Sequence, residues 1–158
     1  MHDTTQEMHI NFKTPSSEFK NFLALVPAEY ANNINDVKTT GDFSVAGVVD
    51  GLVSENTIPK LDITIKSNNA SFKYPDLPKS VEDITIDAEI KNNTGIVENT
   101  FVNLNKLHFK IDNNEFDGSA RIKNLTSNPA INTTINGTID LADITKVCLL
   151  YTSDAADD

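Results

Sequence analysis

The sequence predicts a mainly β protein with one or two short helices. Its clearest strand covers residues 84–90, where Ile84, Ile86, Ala88 and Ile90 alternate with charged or polar residues. Successive side chains of a strand point to opposite faces, so this strand has one apolar and one charged face. The same alternation recurs along most of the chain, and short turns separate the strands, which favours an antiparallel meander.

Apolar and polar residues alternate over residues 8–12, and this pattern predicts a short strand before the helical part of the chain. Thr14 and Pro15 then form a helix-start signal, with threonine as the cap and proline at the first helical position. Apolar residues follow at helical spacing at Phe19, Phe22, Leu23 and Val26. We therefore predict an amphipathic helix over residues 15–26, ended by a proline, and a second short helical segment over residues 28–34.

From residue 37 onward the pattern predicts strands almost exclusively. The apolar positions of the alternating pattern change parity at Asn68-Asn69, where we expect a turn or a bulge. They change parity again near Asn105-Lys106, where we expect a bulge or a kink. The sequence Asn-Asn-Thr-Gly at residues 92–95 predicts a turn, as does Asn113-Asn114. The last clear strand covers residues 131–141.

Composition excludes several classes of function. A length of 158 residues predicts one folding unit, and the chain has 13 basic against 23 acidic residues and a formal charge of −10. Without a local basic patch, nucleic acid is not an expected partner, and electrostatic docking on anionic headgroups is disfavoured. We expect no membrane span or signal peptide in the chain as given. The single cysteine, Cys148, has no partner for a disulfide.

No group of residues predicts catalysis, a metal or a cofactor. The three histidines are scattered, without ligands at suitable spacing. Residues 112–118 superficially suggest a calcium loop, but Phe116 and Asp117 occupy the fifth and sixth positions, where an EF-hand needs an oxygen ligand and a glycine. No nucleophile motif or phosphate-binding loop is present. The sequence therefore predicts a protein that is not an enzyme.

Five stretches between about residues 12 and 144 resemble the AsmA family of bacterial envelope proteins. They are LVPAEY (residues 25–30), KTTGDFSVAGVVDG (38–51), IPKLDITIKSNNASFKYPDLPKSVEDI (58–84), FVNLNKLHFKIDNNEFDGSARIKN (101–124) and NPAINTTINGTIDLADI (128–144). The FKYPDLP corner and the final strand are the most specific. Each match is short, and the resemblance rests on their order and spacing.

The resemblance implies a curled, twisted antiparallel sheet that forms an apolar groove for phospholipid on its way to the outer membrane. It also implies a periplasmic location, with an inner-membrane anchor in the full-length protein. The expected partners are phospholipid acyl chains and the rest of the full-length chain. The candidate lipid-contacting residues are Leu61, Ile63, Ile65, Ile84, Ile86, Ile90, Leu107, Phe109, Ile111, Ile131 and Ile135.

Two alternatives stay open at this point. The same apolar side chains also fit an ordinary core packed on the 15–26 helix or on a facing sheet. A different class of function is an extracellular β-sandwich for adhesion or carbohydrate binding, because the chain is rich in Asn and Thr. Such modules usually display aromatic platforms, whereas Trp is absent and the Phe residues mostly occupy apolar strand positions.

The end of the chain departs from the pattern of the rest. We assign residues 1–146 to the β segment and residues 147–158 to a tail of non-native appearance. The tail, VCLLYTSDAADD, has no alternation, contains the only cysteine and resembles translated adapter sequence. We expect it to add nothing to the fold or function.

Overall fold

A computed structural model describes residues 5–23, 37–73, 75 and 79–139 of the chain. Their backbone is mostly extended, as the alternating apolar and polar side chains require. The strands are β1 (Gln6–Lys13), β2 (Ser17–Glu18), β3 (Lys38–Val53), β4 (Lys60–Lys73), β5 (Val81–Asn92), β6 (Phe101–Ile111), β7 (Asn114–Lys123) and β8 (Ala130–Gly137). The helix α1 (Phe19–Leu23) lies between β2 and β3, and one 3₁₀ turn (Val97–Asn99) precedes β6.

The strands form one eight-stranded sheet with the order β1-β3-β4-β5-β6-β7-β8, and β2 also pairs with β3. Every pair is antiparallel. Neighbours from β3 to β8 are consecutive in the chain, which confirms the meander. The sheet is open, with β1 and β8 at its two edges. The predicted class, mainly β with a short helix and an antiparallel sheet, is therefore confirmed.

The predicted start of the helix is wrong, because α1 begins at Phe19. The backbone N–H of Thr14 donates to the carbonyl oxygen of Val45 at 2.8 Å, and the Thr14 hydroxyl accepts from the Val45 N–H at 2.8 Å. Thr14 is thus held against β3, and Ser17 and Glu18 then pair with β3 as the short strand β2. These partners keep the chain extended past Pro15. The rest of the predicted helix, residues 24–26, and the second segment, residues 28–34, lie outside the described residues.

The structure has a bulge at both of the places where the sequence predicts an irregularity. The pairing of β4 with β5 shifts register between Ser67 and Ala70, where Asn69 has a φ of 55°. The pairing of β6 with β7 shifts between Leu104 and Leu107. Each shift inserts an extra residue just where the apolar residues change parity, so the apolar side chains stay on one face of the sheet. Bulges also increase the local twist.

The turn predicted at residues 92–95 follows β5, and the Asn92 side chain organises it. Its side chain is completely buried, and its Oδ1 accepts from the N–H groups of Thr94 (3.0 Å) and Gly95 (2.9 Å). Its Nδ2 donates to the Ile96 carbonyl (2.6 Å) and the Thr100 hydroxyl (2.8 Å). One side-chain amide thus forms hydrogen bonds with four residues of the turn. In the folded protein this nitrogen is not accessible for glycosylation, although Asn92 stands in an Asn-x-Thr sequence.

We expect Asn92→Ala to lower the free energy of unfolding by about 1–3 kcal/mol, because it leaves the buried N–H group of Gly95 without an acceptor. Urea denaturation measures this loss. Asn93→Ala is the matched control, since Asn93 is exposed in the same turn. Equal urea midpoints for the two variants would contradict the role given to Asn92.

Candidate functional site

The candidate site is built from rows of apolar side chains that cross the sheet. One row joins Ile63 to Ile90, Ile90 to Val102, Val102 to Ile122 and Ile122 to Ile131, each a direct cross-strand pair. Directly paired residues of an antiparallel sheet point to the same face. This row therefore places five apolar side chains on one face, from β4 to the edge strand β8.

Two further rows run beside the first one. The second contains Ile65, Ala88, Leu104 and Ala120, and the third contains Ile86, Leu107, Gly118 and Ile135. Strand residues two positions apart also share a face. The three rows thus form one continuous surface, which we call the apolar face. The opposite surface of the sheet is called the polar face.

Two adjoining depressions lie on the apolar face. The central depression has a volume of about 350 Å³ and is lined by Ile65, Ile86, Ala88, Ile90, Val102, Leu104, Leu107, Ala120 and Ile122. The helix-end depression has a volume of about 320 Å³ and is lined by Phe19, Phe72, Val81, Ile84, Ile86, Leu107 and Phe109. Ile86 and Leu107 line both. All the lining side chains are apolar, which suits a ligand without polar groups.

The helix α1 covers one end of the apolar face. Phe19 is 3% exposed and forms a cluster with Ala70 and Ile84, which is 4% exposed. Partly buried side chains pack against this cluster: Phe72, Val81, Ile86 and Phe109. Among the described residues, the cluster of buried apolar side chains is confined to this end, so the ordinary-core interpretation holds there. The central depression is lined instead by side chains that are mostly partly exposed.

The structure brings all eleven predicted site residues to the apolar face. Ile65, Ile86, Ile90 and Leu107 line the central depression, and Ile84 and Phe109 join the helix-end depression. Leu61, Ile63 and Ile111 lie on the same face outside those two sets of lining residues. Ile131 and Ile135 occupy the edge strand, where they are 66% and 61% exposed.

Sequence reasoning missed eight residues that line the depressions. They are Phe19, Phe72, Val81, Ala88, Val102, Leu104, Ala120 and Ile122. Most of them stand at the alternating apolar positions of their strands, so alternation alone was a sufficient signal to include them. The exception is Phe19, which belongs to α1 and comes to the sheet only through the fold.

The polar face carries cross-strand ion pairs instead. Lys66 lies 3.4 Å from Asp87, and Lys110 lies 3.1 Å from Asp83 and 3.0 Å from Glu115. The Lys110 ammonium group donates hydrogen bonds to Glu115 and to Asp83, and these bonds, with that to Glu115 the stronger, raise the pKa of Lys110 above its usual value. Exposed pairs of this kind contribute little stability each. Their effect is to keep charge on one side of the sheet.

Two histidines, His9 and His108, and the acidic residues of the 112–118 stretch form contacts on the sheet surface. His108 lies 2.9 Å from Asp117, and His9 bonds to Asp50, a contact that raises the pKa of His9 above its usual value. Asp112, which lies in the tight turn between β6 and β7, forms an ion pair with Lys79. No group of three potential metal ligands occurs in the part of the chain that the structure describes.

Comparisons with known proteins identify no relative of this chain. No family model, curated protein or solved structure gives a significant match to the chain. None of the helices described here is long and apolar enough to cross a membrane.

Proposed function

We propose that the apolar face binds phospholipid acyl chains and that the chain is a non-enzymatic segment of a lipid-transport path. The observation that carries this proposal is the pair of adjoining depressions, whose lining is entirely apolar. The helix α1 covers only one end of this surface. Contiguous apolar surface of this kind commonly marks a binding site, because leaving it in water is unfavourable.

Acyl chains are the ligand that this surface suits best. Burying a methylene group yields about 0.8 kcal/mol, so a sixteen-carbon chain gains about 12 kcal/mol when fully buried. This gain needs no specific polar contact, and many aliphatic side chains can supply it together. The acidic chain, at −10, offers little attraction to anionic headgroups. The apolar lining and the acidic net charge therefore both favour recognition through the acyl chain.

The biological setting is proposed from the sequence resemblance to the AsmA family. In this setting the sheet curls into a groove and forms part of a longer periplasmic protein, anchored in the inner membrane and active in outer-membrane biogenesis. Acyl chains would lie against the apolar face, and further segments of the full-length protein would extend the path. The polar face, with its cross-strand ion pairs, would face water.

Lipid loading tests this proposal. Delipidated protein is incubated with vesicles of phosphatidylethanolamine and phosphatidylglycerol, separated from them, and analysed by native mass spectrometry and phosphorus assay. We expect bound phospholipid that added salt does not remove. Palmitate should displace it, whereas glycerol phosphate, which carries only the headgroup chemistry, should not. Protein that stays free of lipid, or lipid that glycerol phosphate displaces, would contradict the proposal.

A further inference from the structure

The strand β8 forms an edge of the sheet that is open on its outer side. It pairs with β7 along Ala130–Gly137, and within the described ranges no strand pairs with its other side. All eight of its residues are exposed, including Ile131 at 66% and Ile135 at 61%. An edge of this kind presents unpaired backbone N–H and C=O groups to another strand.

Unlike most edge strands, β8 has no charge to block such pairing. Its sequence is AINTTING, without a charged residue or proline. At the opposite edge, β1 carries Glu7, His9 and Lys13, and its histidine bonds to Asp50. Native proteins usually protect exposed edges with charges, prolines or bulges. The contrast between the two edges indicates that β8 is suited to take a partner strand.

The sequence of β8 is complementary to itself when two copies run antiparallel. With Thr133 opposite Thr133, Ile131 lies opposite Ile135 on the apolar face. On the polar face, Asn132 lies opposite Thr134, and Ala130 opposite Asn136. The two large apolar residues therefore meet each other, polar residues oppose polar residues or alanine, and no like charges face each other. We propose that two copies of this chain dimerise by pairing their β8 strands about Thr133.

The two-fold axis of this dimer would be perpendicular to the sheet. The apolar faces of the two copies would therefore lie on the same side. The row that ends at Ile131 would continue into Ile135 of the second copy and onward to its Gly118 and Leu107. This pairing does not depend on lipid binding. Its test reads the oligomeric state alone, so the two proposals can fail separately.

A charge swap at Thr133 tests the pairing and its register. We expect the wild-type protein to be a dimer by light scattering after gel filtration. Thr133→Lys and Thr133→Glu each place two like charges opposite each other, so each variant should halve the measured mass. Mixing the two variants should restore a one-to-one dimer. Gln6→Lys, at the exposed edge β1, is the control and should stay dimeric.

Cysteine cross-linking checks the same register. In a Cys148→Ser background, Thr133→Cys should form an intermolecular disulfide, since directly opposed strand residues have Cα distances that suit one. Thr134→Cys should cross-link much less, because Thr134 lies opposite Asn132. A monomeric wild type, dimers of both charged variants, or no dimer from their mixture would each overturn the proposal. Preferential cross-linking at position 134 would do the same.

Discussion

Replacing Ile84 with aspartate is expected to remove a large part of the stability of the domain. Ile84 is 4% exposed and lies in the cluster with Phe19 and Ala70, where α1 covers the sheet. A carboxylate at this position would be buried among apolar side chains without a cation. An uncompensated buried charge costs about 3–5 kcal/mol, and typical domains have only about 5–15 kcal/mol of stability in total.

Circular dichroism during urea denaturation measures the effect. Ile10→Asp is the matched control, because it makes the same change on the exposed edge strand β1, where Ile10 is 45% exposed. We expect the control to lose less than about 1 kcal/mol, as surface substitutions usually do. Equal losses for the two variants would mean that α1 does not form a core with the sheet.

Much of the fold follows from period-two alternation. Residues 84–90 show which side chains share a face, and the parity changes at Asn68-Asn69 and Asn105-Lys106 locate two bulges. The turn at Asn92 can also be predicted from the sequence, because asparagine side chains readily form hydrogen bonds with nearby backbone groups. These features are local, so a single strand or turn carries enough information to predict them.

Features that depend on distant partners were harder to predict. Thr14 carries a helix-cap signal, yet its cross-strand bonds to Val45 hold it extended. Alternation also gives Ile84 and Ile131 equal status as site residues, although one lies beneath α1 and the other on the edge strand β8. Exposure depends on what covers each position, and the pattern of a single strand does not contain that information.

The second large effect is expected at Ile65, which lines the central depression away from the buried cluster. Ile65→Asp places a carboxylate where the acyl chain would lie, while the partly exposed position leaves the group in reach of water when lipid is absent. We expect a folded protein whose bound phospholipid falls at least about tenfold, equivalent to about 1.4 kcal/mol. Ile65→Ala should retain most of the lipid, because neighbouring aliphatic side chains share the contact.

The most direct measurement compares the phospholipid bound by Ile65→Asp and Val48→Asp after the same vesicle incubation. Val48 is 45% exposed on the polar face, so its substitution adds the same charge away from the depressions. Circular dichroism establishes that both variants are folded. If the apolar face binds acyl chains, Ile65→Asp loses its lipid and Val48→Asp binds as much as the wild type. Equal loading of the two folded variants, or unfolding of Ile65→Asp alone, would contradict an accessible lipid-binding face.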